Sequence, residues 1–385
     1  MKRTLFKITL ITICLGSFFT SCKKDDIVLQ SNDPVFHIDE FAAMLSAMME
    51  DSNIAFQYCI AKEGQFYTSD ANGWALNPAD NAASGIGVEM TPTTRMNIAS
   101  ITKPLTGTAV MKMLYDDPNI SMDSKIAPYL PSHWDIIPTL EGLTFRQCLT
   151  HTTGIAASGT GIASLKETWT NGGIFIQGDY FYSNENFAIF RLVLPYIFYS
   201  DEMQEVENDF PGNDDKINEA ASAYYVEIIN DLVLAKAGID YADCKPTTDA
   251  PRLYNFPNGN LSGVDPGDWT LSCGGGGWNL SSFELLAYMS YFSNSESIVP
   301  ASIRQKMWDE SIGCVQKNTE HGMSYSHGGA LTYNSPARGM YGWIIYFPNN
   351  VQFSVLINSR RADPNWEGYF EQFNMIHDFY NKSWH

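Results

Sequence analysis

The chain offers strands at its two ends and few between them. Ile54 to Ile60 reads as a strand, Lys62-Glu63-Gly64 as a turn, and Gln65 to Thr68 as the start of a return strand. Near the other end, Tyr341 to Phe347 and Val351 to Ile357 form a second hairpin across Pro348-Asn349-Asn350. A helix with apolar side chains at helical spacing precedes the first hairpin (38–50), and another closes the chain (366–381). The economical arrangement is an α+β fold: one antiparallel sheet built from both termini, with helices covering its faces. The middle reads as helical at 105–116, 144–151, 185–194 and 216–238. We therefore expect one domain over 34–385. Its sheet-bearing part spans about 34–115 and 265–385, and a mostly helical subdomain is inserted at about 116–264. The acids between Asp201 and Asp215 are spaced too irregularly for a calcium loop and predict a solvated loop.

With 385 residues, 44% of them hydrophobic, the chain can bury a large core. Its net charge of −19 repels phosphate backbones, which excludes nucleic acid as a partner. Lys2 and Arg3, the apolar run Ile8 to Phe19, and Phe19-Thr20-Ser21-Cys22 form an export leader. Its ending resembles a bacterial lipobox, with Phe19 where leucine is usual. The expectation is a signal peptide over 1–22, lipidation at Cys22, a linker over 23–33, and an exported lipoprotein anchored in the outer membrane. Lys23-Lys24-Asp25-Asp26 resembles a surface-export tag. The cysteines at 59, 148, 244, 273 and 314 show no metal-ligand spacing, and sequence assigns no disulfide among them.

Three short motifs carry the chemistry: Ser100-Ile101-Thr102-Lys103, Tyr182-Ser183-Asn184 and His327-Gly328-Gly329. An S-x-x-K alone should occur roughly once by chance in a chain this long. Here Ser100 stands just before an apolar helical stretch, where free N–H groups favour developing negative charge. Lys103 is one turn on, within reach of the serine hydroxyl, and Pro104 suits a first helical turn. A serine, an amine, a phenol and a glycine-rich strand edge are what acyl transfer needs. No H-e-x-x-H or G-x-S-x-G pattern is present, so neither a zinc protease nor an α/β-hydrolase elbow is expected, and no metal or cofactor is called for.

The neighbouring segments resemble the class C β-lactamase-related serine hydrolases, a family that includes D,D-peptidases and esterases. The resemblance rests on Arg95-Met96-Asn97-Ile98-Ala99 before the serine and on Leu149-Thr150-His151-Thr152-Thr153-Gly154-Ile155. It also rests on the Y-x-N and H-x-G elements and on Gly274 to Gly277 leading into Trp278-Asn279-Leu280-Ser281-Ser282. It implies Ser100 as nucleophile, Lys103 as its activating amine and Tyr182 as the phenolic proton relay. Which of Lys103 and Tyr182 is the base stays open. Asn184 is implied to bond substrate or Lys103, and His151 to belong to a structural loop. His327 replaces the usual lysine, Gly329 leaves room for substrate, and the N–H groups of Ser100 and Ala330 would form an oxyanion hole. The implied activity is hydrolysis of an ester or amide (a D-amino-acid peptide, a β-lactam or a small ester) through an acyl-enzyme. The neutral histidine favours an esterase or D,D-peptidase over an efficient β-lactamase. The alternative is a catalytically silent lipoprotein that binds a cell-wall peptide. The short gap from Gly154 to Tyr182 implies trimmed loops over the site.

Overall fold

The computed structural model describes residues 34–51, 55–81, 84–156, 159–172, 178–256, 262–334, 337–361 and 367–385. The expected leader, Cys22 and the linker over 23–33 lie outside these residues. The strands are β1 (Ala55–Lys62), β2 (Gln65–Leu76), β3 (Val88–Glu89), β4 (Met96–Asn97), β5 (Tyr254–Phe256) and β6 (Asn279–Leu280). They continue with β7 (Val315–Thr319), β8 (Gly322–Asn334), β9 (Ala337–Tyr346), β10 (Val351–Ile357) and β11 (Ser359–Arg361). Nine of them form one sheet in the order β11-β5-β9-β10-β1-β2-β3, with β8 on the free side of β9 and β7 beyond it. All pairings are antiparallel except β11 with β5. The first hairpin (β1–β2) and the last (β9–β10) meet where β1 pairs β10, Tyr58 opposite Val355.

The helices are α1 (Ile38–Glu50), α2 (Thr102–Asp116), α3 (Phe145–Leu149), α4 (Ile162–Asn171), α5 (Glu185–Ala188) and α6 (Phe190–Phe198). After them come α7 (Ser200–Asp209), α8 (Asp214–Ile229), α9 (Ser282–Asn294), α10 (Ala301–Asp309) and α11 (Glu367–Lys382). β1 and β10 are buried along almost their whole length because both faces of the sheet are covered. On one face Phe41 and Leu45 of α1 and Ile376 and Tyr380 of α11 pack over Tyr58 and Phe353. The other face belongs to a larger core that includes Leu105 of α2, Leu285 of α9 and the helices of the middle region. Among the described residues no helix is long and apolar enough to cross a membrane.

The acidic segment departs from the expected loop: it is α7 and the first turn of α8. Asp201 and Glu202 lie in the first turn of α7, where the helix dipole favours them. Glu207 is buried and accepts hydrogen bonds from the Ser132 amide (2.9 Å) and from the hydroxyls of Ser132 and Tyr196. Asp214 accepts from Lys166 Nζ (2.7 Å) and Trp134 Nε1 (2.8 Å), and His133 Nε2 lies 2.8 Å away. These acids bind the subdomain together, which their linear spacing gave no sign of.

Candidate active site

Ser100 sits in a single 3-10 turn, Ala99–Ile101, that runs straight into α2. Upstream, β4 is held by β6, and Ile98 N–H donates to Trp278 O at 2.8 Å. Ala99 has φ +47°, a left-handed conformation costing an alanine on the order of 1–3 kcal/mol. Asn97 Oδ1 accepts the Ala99 amide at 2.8 Å and holds that conformation. The strained residue thus presents the next one, Ser100, to the groove.

Lys103, in the first turn of α2, is fully buried. Its Nζ lies 3.1 Å from Ser100 Oγ, 2.7 Å from Asn184 Oδ1 and 2.5 Å from Gly275 O. All three partners are neutral, and burial holds the amine well below its ordinary range. A neutral amine satisfies the same geometry: two N–H bonds go to Asn184 and Gly275, and the lone pair faces the Ser100 O–H. Tyr182 O–H donates to Ser100 Oγ at 2.9 Å, and its ring centroid is 4.8 Å from Lys103 Nζ. Two-fifths of Tyr182 is open to solvent, yet desolvation of the phenol pushes it up to about 12, against a smaller opposing effect of the Ser100 hydrogen bond. The phenol stays protonated at neutral pH. Both base candidates left open by sequence lie within hydrogen-bond distance of Ser100 Oγ, and burial separates them by lowering the amine and raising the phenol.

Glycine makes this approach possible. A side chain at Gly275 would meet Asn184 O at 2.5 Å, so the loop can bring its carbonyl to Lys103 only without one. At Gly329 of β8 a Cβ would lie 2.4 Å from Ile98 O, because the strand rests directly against the serine turn. Ala330 follows, and with Ser100 it lines both halves of the groove.

The buried His327 has Nδ1 2.7 Å from Gly328 O. A carbonyl only accepts, so the proton sits on Nδ1 and Nε2 is the acceptor. Burial, with the nearby Lys103 adding, pushes His327 down to about 3, so it is neutral at any ordinary pH. His151 is likewise pushed down to about 3 by burial first, then by Lys103 and His327. Its Nδ1 accepts from the Ser183 amide at 3.3 Å and lies 3.2 Å from Asn186 Nδ2, while its ring packs 4.6 Å from that of Tyr182. It positions the phenol. His321 lies elsewhere, stacked on Trp384.

Ser100, Lys103, Tyr182 and Asn184 therefore meet in one hydrogen-bonded group, with His327, Gly329 and Ala330 on the adjoining strand. Sequence reasoning passed over four features. Gly275 O anchors Lys103. Glu185 is buried beside Asn184. Tyr369 of α11 reaches back to Gly328, and His37, Glu40 and His385 cluster at the surface. This last trio is, among the described residues, the one grouping with metal-ligand proximity; it is exposed and lines neither half of the groove. Its members are 345 residues or more from one another in sequence at the widest pair, beyond the reach of any spacing rule, if His385 is set against His37 or Glu40.

Residues 41–197 match the family model described as Beta-lactamase. A search of curated proteins returned no match. The fold is shared with solved structures of low sequence identity. The octameric penicillin-binding protein homologue from Pyrococcus abyssi is 19% identical with a TM-score of 0.61, over 88% of this chain and 76% of that one. The D-amino acid amidase from Ochrobactrum anthropi SV3 is 12% identical with a TM-score of 0.64, over 90% and 98%. EstCE1, a hydrolase with promiscuous acyltransferase activity, is 13% identical with a TM-score of 0.61, over 89% and 99%. The architecture is the β-lactamase/transpeptidase-like α+β fold. The match over 41–197 and the shared fold make this chain similar to β-lactamase-related proteins.

Proposed function

We propose that the protein is a serine hydrolase working through an acyl-enzyme. The observation that carries this is Lys103: a fully buried amine, bonded only to neutral groups, 3.1 Å from Ser100 Oγ. The neutral amine takes the Ser100 proton as Oγ attacks the substrate carbonyl. Negative charge develops on the carbonyl oxygen, towards the N–H groups of Ser100 and Ala330. As the tetrahedral species collapses, the bond to the leaving alcohol or amine breaks, and that group takes a proton relayed by Tyr182 from Lys103. Water then attacks the acyl–Ser100 ester, gives up a proton to the amine and releases the acid, restoring the serine hydroxyl.

The substrate is an ester or amide. The neutral His327 supplies no cation for a carboxylate, which favours an esterase or peptidase over an efficient β-lactamase. The amidase and acyltransferring hydrolase that share the fold support the same reaction type. We further propose export as a lipoprotein, with Cys22 lipidated and residues 23–33 as tether; a Cys22→Ala chain should then leave the membrane fraction. The hydrolase reading is tested by incubation with a fluorophosphonate probe and intact-mass measurement. One adduct on the wild type and none on Ser100→Ala is expected. An unmodified wild type, or an undiminished adduct on the variant, would sink it.

A further inference from the structure

The groove has two lobes that meet at Ser100, Tyr182, Asn184 and Ala330. One, of about 430 Å³, is walled by Thr160, Ser183, Trp269 and the glycine loop. The other, of about 460 Å³, is walled by aromatic rings: Tyr180 beside His151, Trp343 of β9, and Tyr369, Phe370 and Phe373 of α11. Its polar side is neutral: His327 and Ser326 on β8, Ser311, and Asn184 where the lobes meet.

Three observations bear on what enters this second lobe. Among the described residues neither lysine nor arginine lines it. Lys317 does touch its outer wall, but it lies over the Phe373 ring, 4.9 Å from the centroid, and donates to Asn374 Oδ1 at 2.6 Å. Second, Tyr369 closes the strand edge beside His327. Its ring stacks on Trp343 at 4.8 Å, and its hydroxyl occupies the place of a side chain at position 328, where a Cβ would lie 1.8 Å away. Third, the rim is unusually apolar for exposed surface: Tyr180 is 64% and Phe370 59% exposed. Large rings left in water beside a reactive centre mark a surface that binds apolar matter.

We infer that the aromatic lobe takes an uncharged aryl or branched alkyl substituent of the scissile ester or amide, and rejects one that bears a carboxylate. The size is ample, since a cavity of roughly 150 Å³ already holds a benzene ring. An anion there would be desolvated with only neutral hydroxyl and amide donors and no cation among the described lining residues, inside a chain of net charge −19. The lobe is therefore matched to neutral substrates, and a peptide ending in a free carboxylate does not fit it. This deepens the acyl-enzyme reading and rests on it.

The test uses four aryl esters, with the ring on the acyl side or on the alcohol side, each with and without a ring carboxylate. Steady-state kcat/KM is measured on the wild type and on Phe370→Lys, an exposed position that tolerates the change. In the series whose ring enters the lobe, the neutral ester should be favoured by about 100-fold. Phe370→Lys should cut that preference by about tenfold, as a new cation pairs with the carboxylate. Fluorophosphonate labelling of Ser100 runs in parallel and separates the two readings. Without the label, the acyl-enzyme reading itself fails. With the label, the lobe assignment alone is overturned by any of three results: carboxylate esters within about threefold of neutral ones in both series, a preference unmoved by Phe370→Lys, or no turnover of any ester.

Discussion

The floor of the groove and its rim are built on opposite principles. On the floor, Lys103 is fully enclosed and its amine is matched by three neutral hydrogen-bond partners from three segments. Glycines at 275 and 329 let backbone come closer than any side chain would permit. At the rim, Tyr180 and Phe370 stand largely in water and are held by ring contacts. Burial is what lowers the lysine's proton affinity, so the reaction is tied to the packing of the core. The choice of substrate is left to side chains whose loss costs the fold little.

The largest effect should come from the floor. Lys103→Met keeps the volume and removes the amine, so kcat/KM should fall by about 10³-fold. Between its lowered folded value and 10.5 the folded lysine binds fewer protons than the unfolded one, so at neutral pH it lowers stability. The variant should therefore melt no lower than the wild type at pH 7 by calorimetry, although inactive. A matching loss of Tm would break the contrast drawn here. Tyr182→Phe, which removes the hydroxyl on Ser100 Oγ, should cost about 10²-fold in kcat with Ser100 still labelled by a fluorophosphonate.

Proton linkage sharpens the same contrast. Glu185, buried next to Asn184, is pushed up to about 8 by burial. Thr168 lies beside it, yet neither carboxyl oxygen meets hydrogen-bond geometry with a donor. Between about 4.5 and 8 the native state binds more protons than the unfolded chain, so this residue's contribution to stability falls as pH rises and is level above 8. Glu185→Gln should remove that decline, giving a higher Tm than wild type at pH 8.5 and little difference near pH 4.5. His327 and His151, each pushed down to about 3, do the reverse: stability is full above 6.5 and declines as pH falls below it. Neither titrates between 5 and 8 in the folded protein. His327→Asn should thus leave the midpoint of the acid limb of kcat/KM unmoved, and a shift in that midpoint would place the controlling proton on the histidine. The smallest effect belongs to the rim. Tyr180→Ala should raise KM for an aryl ester by a factor of about 3–10, with kcat nearly constant and Tm unchanged.

The sheet was legible because its signal is local. Alternating and continuous apolar runs mark β1, β9 and β10, and the spacing of Phe41, Leu45, Met48 and Met49 marks α1 over Ile38–Glu50. The order of the three motifs also pointed to the floor of the site, since each is a short run of chain. Gln65 to Thr68 reads as the start of the return strand, and its end is set by partners distant in sequence: pairing with β1 carries β2 to Gly73 and pairing with β3 to Leu76. The acids of α7 and of the first turn of α8 looked like loop because the partners of Glu207 (Ser132 and Tyr196) and of Asp214 (Lys166) come from elsewhere in the fold. Gly275 O was hidden for a different reason: a carbonyl has no residue-type signature. The aromatic lobe was hidden because α11 supplies three of its rings, and nothing in its sequence says which strand it crosses.

The contact between Gly328 and Tyr369 couples two positions 41 residues apart. A Cβ at 328 would lie 1.8 Å from the phenol oxygen, so a residue larger than glycine enters β8 there only if the Tyr369 ring moves or is replaced. The two positions are therefore coupled: a change at 328 is penalised by the displacement it forces on Tyr369, and a smaller residue at 369 lifts that penalty. Descendants of this sequence can alter the rim one residue at a time, whereas the strand edge at 328 and the ring at 369 change most readily together.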